Sequence, residues 1–345
     1  MKRWLMCVLL GMTLWLTGCS QGEIGNKMIV KAMYLDKMHE YVAHLVVLQA
    51  EPSADAGDAK EQLRVLTGEG ESWFEALEQA QKSCTGTVFH GQNEMLLIGP
   101  NLQQEGVSLA ANFLVSIDSG RPNMQVWGID LSGQDFVNAV LETDFMHNLR
   151  QLSEETQLKS FLYQILQPEK GFVLPLISCP EEQLPRTEGL SLYIKDKPVA
   201  HWDQAKATLA ALLMGQSQSS PSFELELSGE TVQIQLSDPR FVYGVKQEGE
   251  KLVLDLRLVG RISSVTGTQG VVELLQDDAT VQQLEQGIAQ QMDWLIQQGF
   301  SEECDVFSLK ARFANYSVTG MQRMKQQGTL FGTSCIDFSS ELKIL

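Results

Sequence analysis

The sequence predicts an α+β fold, and three observations carry that expectation. Strand-like and helix-like segments are mixed along the chain without a regular strand–helix–strand rhythm. Hydrophobic residues make up 43% of the 345 positions, the proportion of an ordinary globular chain long enough for two or three domains. Polar, proline-bearing stretches at 179–185 ("CPEEQLP") and 215–222 ("GQSQSSPS") interrupt both periodicities.

Taken in order, the elements begin with a leader. Lys2 and Arg3 precede an apolar run from Trp4 to Trp15, which is closed by Leu16-Thr17-Gly18-Cys19. The apolar run is too short for a good bilayer span and has the charge and length of a signal peptide. The cysteine directly after Leu-Thr-Gly has the form of a bacterial lipobox, in which the sulfur takes a diacylglyceryl group and the chain is cut just before it. The expectation is cleavage after residue 18 and lipidation at Cys19. Two or more acyl chains anchor stably, each buried CH₂ contributing about 0.8 kcal/mol. The alternative is an ordinary secretory leader with a chance cysteine.

Residues 28–35 and 41–50 read as a hairpin, and "PSADAGDAK" (52–60) as a mobile polar loop. In "GEGESWFEAL" (68–77), two glycines run into a tryptophan. A phosphate-cradling loop is excluded by charge, because Glu69, Glu71 and Glu75 stand where a cation is needed. Ser72 and Glu75 instead have capping-box spacing, so a helix is expected to start here, with the Glu75 carboxylate reaching back to the Ser72 N–H. Gly68 and Gly70 then turn the incoming chain, and Trp73, Phe74, Leu77 and Ala80 form the buried side. "VFHGQNEMLLIG" (88–99), which contains Gly91, reads as a strand, and 101–118 as a helix with Leu102, Ala110, Phe113, Leu114 and Ile117 on one face. "MQVWGI" (124–129) is a strand, followed by helices near 134–143 and 155–166 that turn Phe136, Val140, Phe161, Leu162 and Ile165 inward.

Beyond 179–185, "GLSLYIKDKPVAHW" reads as two short strands, then a helix from Asp203 to Gly215. Strands at 223–227, 231–237 and 251–262 form a meander. The longest helix, 278–298, has a stripe of Val281, Leu284, Ile288, Met292, Leu295 and Ile296, with Gly299 at its C-terminal end. "VFSLKARF" (306–313) and 335–345 alternate and are expected as strands.

Chemistry is constrained mainly by what is missing from the sequence. The five histidines, at 39, 44, 90, 147 and 201, are scattered outside any H-E-x-x-H pattern, and there is no G-x-S-x-G elbow. Without C-x-x-C neither a structural zinc nor a thioredoxin-like site is expected. Cys84, Cys179, Cys304 and Cys335 permit three pairings, among which sequence does not choose; separate, mostly buried thiols are the expected state. A net charge of -17, more negative once Lys2 and Arg3 are removed, disfavours nucleic acid and anionic headgroups as partners of the protein body. The expectation is a non-enzyme with no cofactor and no metal.

The lipobox, "EIGNKMIVKAMYLDK", the block "GEGESWFEALEQAQKSCTGTVFHGQNEMLLIG", "EGLSLYIKDKPVAHW" and the unit at 271–313 together resemble the spore germination lipoprotein family of Ger(x)C type, the C subunits of nutrient germinant receptors. The most specific part is Gly68-x-Gly70-x-Ser72-x-x-x-Ala76 followed by Gly91 and an apolar strand ending at Gly99. Gly68, Gly70, Ser72, Trp73 and Gly91 are therefore the candidate interaction or structural motif, beside Cys19 as the lipidation site. The resemblance implies three small mixed α/β domains in tandem after the cleaved leader, taken here as 19–180, 186–265 and 266–345. It also implies a non-catalytic protein anchored by lipid on the outer face of the spore inner membrane, working beside an A subunit and a transporter-like B subunit, with no small-molecule ligand of its own. The alternative reading is a solute-binding lipoprotein that captures a nutrient directly. An inter-lobe pocket of several hundred Å³ with convergent polar groups distinguishes that case.

Overall fold

Strand β1 (Lys27–Lys37) carries apolar side chains on both faces, as a strand buried in the middle of a sheet must. It pairs antiparallel with β2 (Tyr41–Ala50), the expected hairpin. The computed structural model describes residues 27–50, 61–84, 86–116, 121–152, 157–167, 171–180, 184–215, 221–227, 230–248, 251–266, 278–301, 304–318, 320, 322 and 335–344. The expected leader with Cys19, the loop 52–60, Ile117 and most of 215–222 lie outside the described residues.

A third strand, β3 (Glu61–Gly70), lines the free edge of β2, so Gly68 and Gly70 sit in a strand and not in a turn. Helix α1 (Trp73–Lys82) follows at once. The single strand expected over 88–99 is two, β4 (Thr87–Phe89) and β5 (Met95–Ile98), both parallel to β1. The division coincides with a register shift in β1 between Val30 and Ala32. That bulge swaps faces: Val30 packs with Met33 and Leu35 on one side, whereas Ala32 joins Tyr34 on the other.

Likewise the helix expected at 101–118 is two, α2 (Pro100–Glu105) and α3 (Ser108–Ser116). They are divided at Gly106, whose φ of 140° no helix accommodates. The Asp196 carboxylate accepts from the Ser108 N–H at 2.8 Å just beyond the break. Strand β6 (Gln125–Ile129), helices α4 (Gly133–Glu142), α5 (Phe145–Leu149) and α6 (Leu158–Ile165), and strand β7 (Phe172–Ser178) complete this region; the last is a strand the sequence reading did not assign.

Strands β8 (Arg186–Ile194) and β9 (Lys197–Trp202) are the two expected short strands; they pair antiparallel with each other, and β8 pairs with β7. The segment 179–185 thus connects neighbouring strands of one nine-stranded sheet, ordered β3-β2-β1-β5-β6-β7-β8-β9 with β4 beside β1. Its central strands β1, β5, β6 and β7 run parallel. One face is covered by α1, α3 and α6, with Leu35, Leu45, Leu96 and Phe172 among the buried side chains. The other is covered by α4 and α5, where Tyr34 stacks on Phe136 at 4.9 Å.

Helix α7 (Gln204–Met214) begins at Asp203, which accepts from the Lys206 N–H, and ends at left-handed Gly215. It lies in a third core between the end of the large sheet and a second, four-stranded one. The second sheet is ordered β10 (Ser222–Leu227), β11 (Glu230–Glu248), β12 (Lys251–Thr266) and β13 (Ile336–Ile344). Helix α8 (Asp278–Gly299) buries Leu284, Ile288, Met292 and Leu295, as its stripe predicts. Residues on both sides of position 265 contribute to this one core, as do Val173, Leu190 and Trp202 of the large sheet.

The segment expected as a strand at 306–313 is helical: α9 spans Leu309–Tyr316. Buried Asp305 decides it, because its carboxylate accepts from the Leu309 and Lys310 N–H groups at 2.7 and 2.9 Å. Leu309 and Phe313, one turn apart, then go into the core.

Candidate functional site

The motif singled out by sequence is a packing node. Ser72 Oγ accepts from the Glu75 N–H at 3.2 Å, as a cap should. The Glu75 carboxylate reaches back to the Glu71 N–H at 3.0 Å, one residue further than the expected Ser72 N–H. Trp73 is buried between Tyr41 and Phe113, with ring centroids 4.6 and 5.7 Å away. Phe74, expected inside, is 63% exposed and touches Phe113 only edge-on. Gly68 is present because α1 lies directly on β3: a Cβ there would stand 2.0 Å from the Ala76 carbonyl oxygen and 2.3 Å from the Ala80 nitrogen. Gly91 lies in the turn after β4, where a Cβ would meet the Phe89 ring at 2.6 Å. These residues hold a helix on a sheet and leave no recess among them.

The buried titratable groups are also spoken for. Asp36, at the end of β1, is 3% exposed. It accepts from the Lys37 N–H, the Leu102 N–H and the Asn101 amide at 2.8–2.9 Å, so it caps α2 from a neighbouring strand. The Tyr34 hydroxyl, 3.2 Å from Asp36 and 3.0 Å from the Leu131 carbonyl, is pushed well above the usual phenol range by burial and by Asp36. His44 meets Thr67 Oγ1 through Nδ1 at 2.8 Å, while its buried Nε2 has no hydrogen-bond partner among the described residues. Burial lowers its pKa to about 4. With the Thr67 hydroxyl as the partner of this imidazole across the β2–β3 pair, the cluster ties β1, β2, β3 and α2 together.

Among the described residues no three His, Cys, Asp or Glu side chains are grouped to hold a metal ion, and no helix is long and apolar enough to cross a membrane. Cys84, Cys179, Cys304 and Cys335 are separate thiols, and burial pushes Cys304 up to about 11.

Among the cavities formed by the described residues are two of more than 800 Å³. The first, about 860 Å³, is a groove between α6 and the segment leading into α9, walled by Leu162, Tyr163, Leu166, Phe172, Met214 and Val306. Its apolar lining and its position between the two sheet systems make it a surface for burying apolar groups. The second, about 830 Å³, lies where the β8–β9 end of the large sheet meets β10 and β11. Its walls are polar, and four of the five charges in them pair locally, Arg186 with Glu188 at 2.9 Å and Lys206 with Asp203, with Glu224 the fifth. Sequence reasoning found neither. For the groove the available signal was Tyr163, on α6 outside its inward stripe, and Leu166, just past the end of α6, which are 64% and 76% exposed.

Residues 20–179 match the family model described as the spore germination protein N-terminal domain. Among solved structures, the crystal structure of the GerBC protein superposes with a TM-score of 0.53 at 11% identity, over 91% of this chain and 96% of its own. At that identity the likeness is one of fold. No curated protein matches the chain.

Proposed function

The chain is a spore germination protein of GerXC type, and from that premise we propose that it is the lipid-anchored, non-catalytic subunit of a nutrient germinant receptor. In this role it is needed for nutrient-triggered germination and assembles with the integral-membrane A and B subunits on the outer face of the spore inner membrane. The observation that carries the reading is the family match over residues 20–179, which begins one residue after Cys19. Diacylated Cys19 would hold the body beside its partners, and a tether raises their effective concentration so that a modest interface is well occupied. The large apolar groove agrees with work done by surfaces.

The polar cleft is the observation that favours direct nutrient capture, since it has the volume and polar lining of a small-molecule site. It ranks second because four of its five charged side chains, all but Glu224, already form ion pairs with near neighbours in sequence. The two readings separate in one experiment. Tagged full-length chain is purified from solubilised spore membranes, and the soluble body is titrated calorimetrically with amino acids and sugars. Two integral-membrane subunits are expected with the first preparation and no heat with the second. Micromolar nutrient binding, with no membrane protein recovered, reverses the ranking.

A further inference from the structure

We propose that a small cationic cavity at the entries to β5 and β6 binds a phosphate oxyanion, and that a lipid headgroup supplies it. The lipid source rests on the receptor-subunit reading, with its anchor at Cys19; the site itself does not.

The cavity encloses about 270 Å³ among Asn93, Glu94, Arg121, Asn123, Gln125 and Arg150. Backbone pairing sets its frame: the Glu94 N–H donates to the Lys31 carbonyl at 3.0 Å, and the Gln125 N–H to the Glu94 carbonyl at 2.9 Å. Glu94 is thereby fixed between β1 and β6, and its two carboxylate oxygens meet Lys31 at 3.1 Å and Arg150 at 2.9 Å. Arg121, half-buried, has no ion-pair partner among the described residues. Three cations against one carboxylate leave two positive charges in excess. The carboxamides add donors. Asn93 is 3% exposed, and its oxygen accepts from the Met95 N–H at 3.3 Å. Its NH₂ makes no hydrogen bond among the described residues and keeps contact with solvent. Gln125 repeats the arrangement: its oxygen accepts from the Trp127 indole N–H at 3.4 Å, and its NH₂ is likewise unspent.

Donors lining one space, with positive charge in excess, call for an anion that accepts from several directions. A phosphate does so with its free oxygens, and arginine matches that geometry. The volume lies below the roughly 300–1,000 Å³ of small-molecule pockets, so it suits an oxyanion group and not a whole nutrient. The chain's net charge of -17 disfavours anionic headgroups for the body as a whole. Within a Debye length of about 8 Å, however, the cavity's own charges dominate.

Topology places the cavity at the anchored end. Strands β1, β5 and β6 run parallel, so the start of β1 and the entries to β5 and β6 share one end of the sheet. Lys31 stands four residues along β1 from Lys27, about 13 Å. Residues 20–26 join Lys27 to Cys19 and reach at most roughly 25–30 Å even when extended. A diacylated Cys19 would hold this end within reach of the headgroup layer, where lipid phosphates are the abundant oxyanions. Asp118, Glu154 and Glu155 are near Arg121 and Arg150 in sequence and lie outside the described residues, so a carboxylate of this chain is the competing occupant.

The test is hydrogen exchange over residues 92–96 and 121–126 of the full lipidated chain in phosphatidylcholine vesicles. Plain vesicles are compared with vesicles enriched in phosphatidylglycerol, and with plain vesicles in millimolar inorganic phosphate. Phosphatidylglycerol should slow exchange in both segments about tenfold, and Arg121→Gln/Arg150→Gln should abolish that protection. The Arg150 side chain is exposed, so losing its pair with Glu94 costs little stability. Arg240→Gln/Arg261→Gln, at exposed positions of β11 and β12, changes the net charge equally and should keep the protection. No slowing by either phosphate source, or equal loss in the two variants, would overturn the site. Slowing by inorganic phosphate alone overturns the lipid source. Slowing that emerges only in Asp118→Asn/Glu154→Gln/Glu155→Gln assigns the space to the chain's own carboxylate and overturns the proposal. No partner subunit enters the measurement, so a null result leaves the receptor reading standing wherever the wild-type chain still co-purifies membrane subunits. Absence of those subunits strikes that reading without touching the site.

Discussion

Replacing Gly68 with alanine should separate α1 from β3. The new Cβ would lie 2.0 Å from the Ala76 carbonyl oxygen and 2.3 Å from the Ala80 nitrogen. Both are backbone atoms of one helix, so no rotamer relieves the overlap. Restoring an ordinary contact of about 3.5 Å requires a displacement of roughly 1.5 Å. The buried face of α1 consists of Trp73, Ala76, Leu77 and Ala80, and it moves with the backbone. A gap of 0.5–1 Å already forfeits about a quarter to a half of a dispersion contact. With about 1.5–3 kcal/mol for each large buried side chain, Trp73 and Leu77 together lose roughly 2–3 kcal/mol. Reduced freedom of the unfolded chain returns about 0.4–1 kcal/mol, so the net cost is about 2 kcal/mol. In urea, with m of about 2–3 kcal/mol/M, the midpoint of residues 20–345 should fall by roughly 0.7–1 M. Gly244→Ala is the control: its Cβ would meet nothing nearer than Asp255 at 3.8 Å, and the midpoint should hold or rise slightly. Equal midpoints for the two variants would refute the argument that close approach selects glycine at 68.

Ser72→Ala removes the cap on α1 without a clash and should cost about 0.5–2 kcal/mol in the same assay; an unchanged midpoint contradicts the capping role. His44 has a folded pKa of about 4 against an ordinary 6.5, so between these values the unfolded chain holds a proton that the folded chain does not. Its contribution is complete above pH 6.5 and is lost as pH falls toward 4, by up to about 3 kcal/mol. His44→Gln should therefore flatten the decline in urea midpoint over that window, and parallel curves would exclude the mechanism. Cys19→Ala should yield soluble protein or uncleaved precursor on fractionation; a processed variant retained in the membrane would remove the lipobox from the proposal.

The elements legible in sequence were those whose signals are local. Asp203 and Gly215 bracket α7, and the stripe from Leu284 to Ile296 marks α8. The misses lie where a partner distant in sequence decides. "EQLRVLTGEG" looks like a glycine-rich approach to a helix, and becomes β3 through ten paired positions along β2. Its glycines serve a contact with α1, which only the folded chain reveals. In β7, Pro175 argues against a central strand, yet the segment is held between β6 and β8. At 306–313, the alternation of Val306, Ser308, Lys310 and Arg312 suggests a strand, whereas a single buried carboxylate, Asp305, nucleates α9.

The candidate site divides in the same way. The proposal for Cys19 rests on a local signal, since lipidation is read by an enzyme from a few consecutive residues; Cys19 itself lies outside the described residues. The groove is not, because Leu162, Met214 and Val306 converge on it from three separate parts of the chain. On the proposed reading, a tether makes this the expected outcome. Held at an effective concentration in the millimolar range, a docking surface needs only modest affinity to be occupied. Modest affinity asks for a complementary apolar shape and not for a fixed constellation of charged or nucleophilic side chains. Such a surface leaves a single sequence with little more than misplaced apolar residues, here Tyr163 on the outer side of α6 and Leu166 just past its end. On the proposed reading, then, the anchor supplies proximity and the body supplies shape.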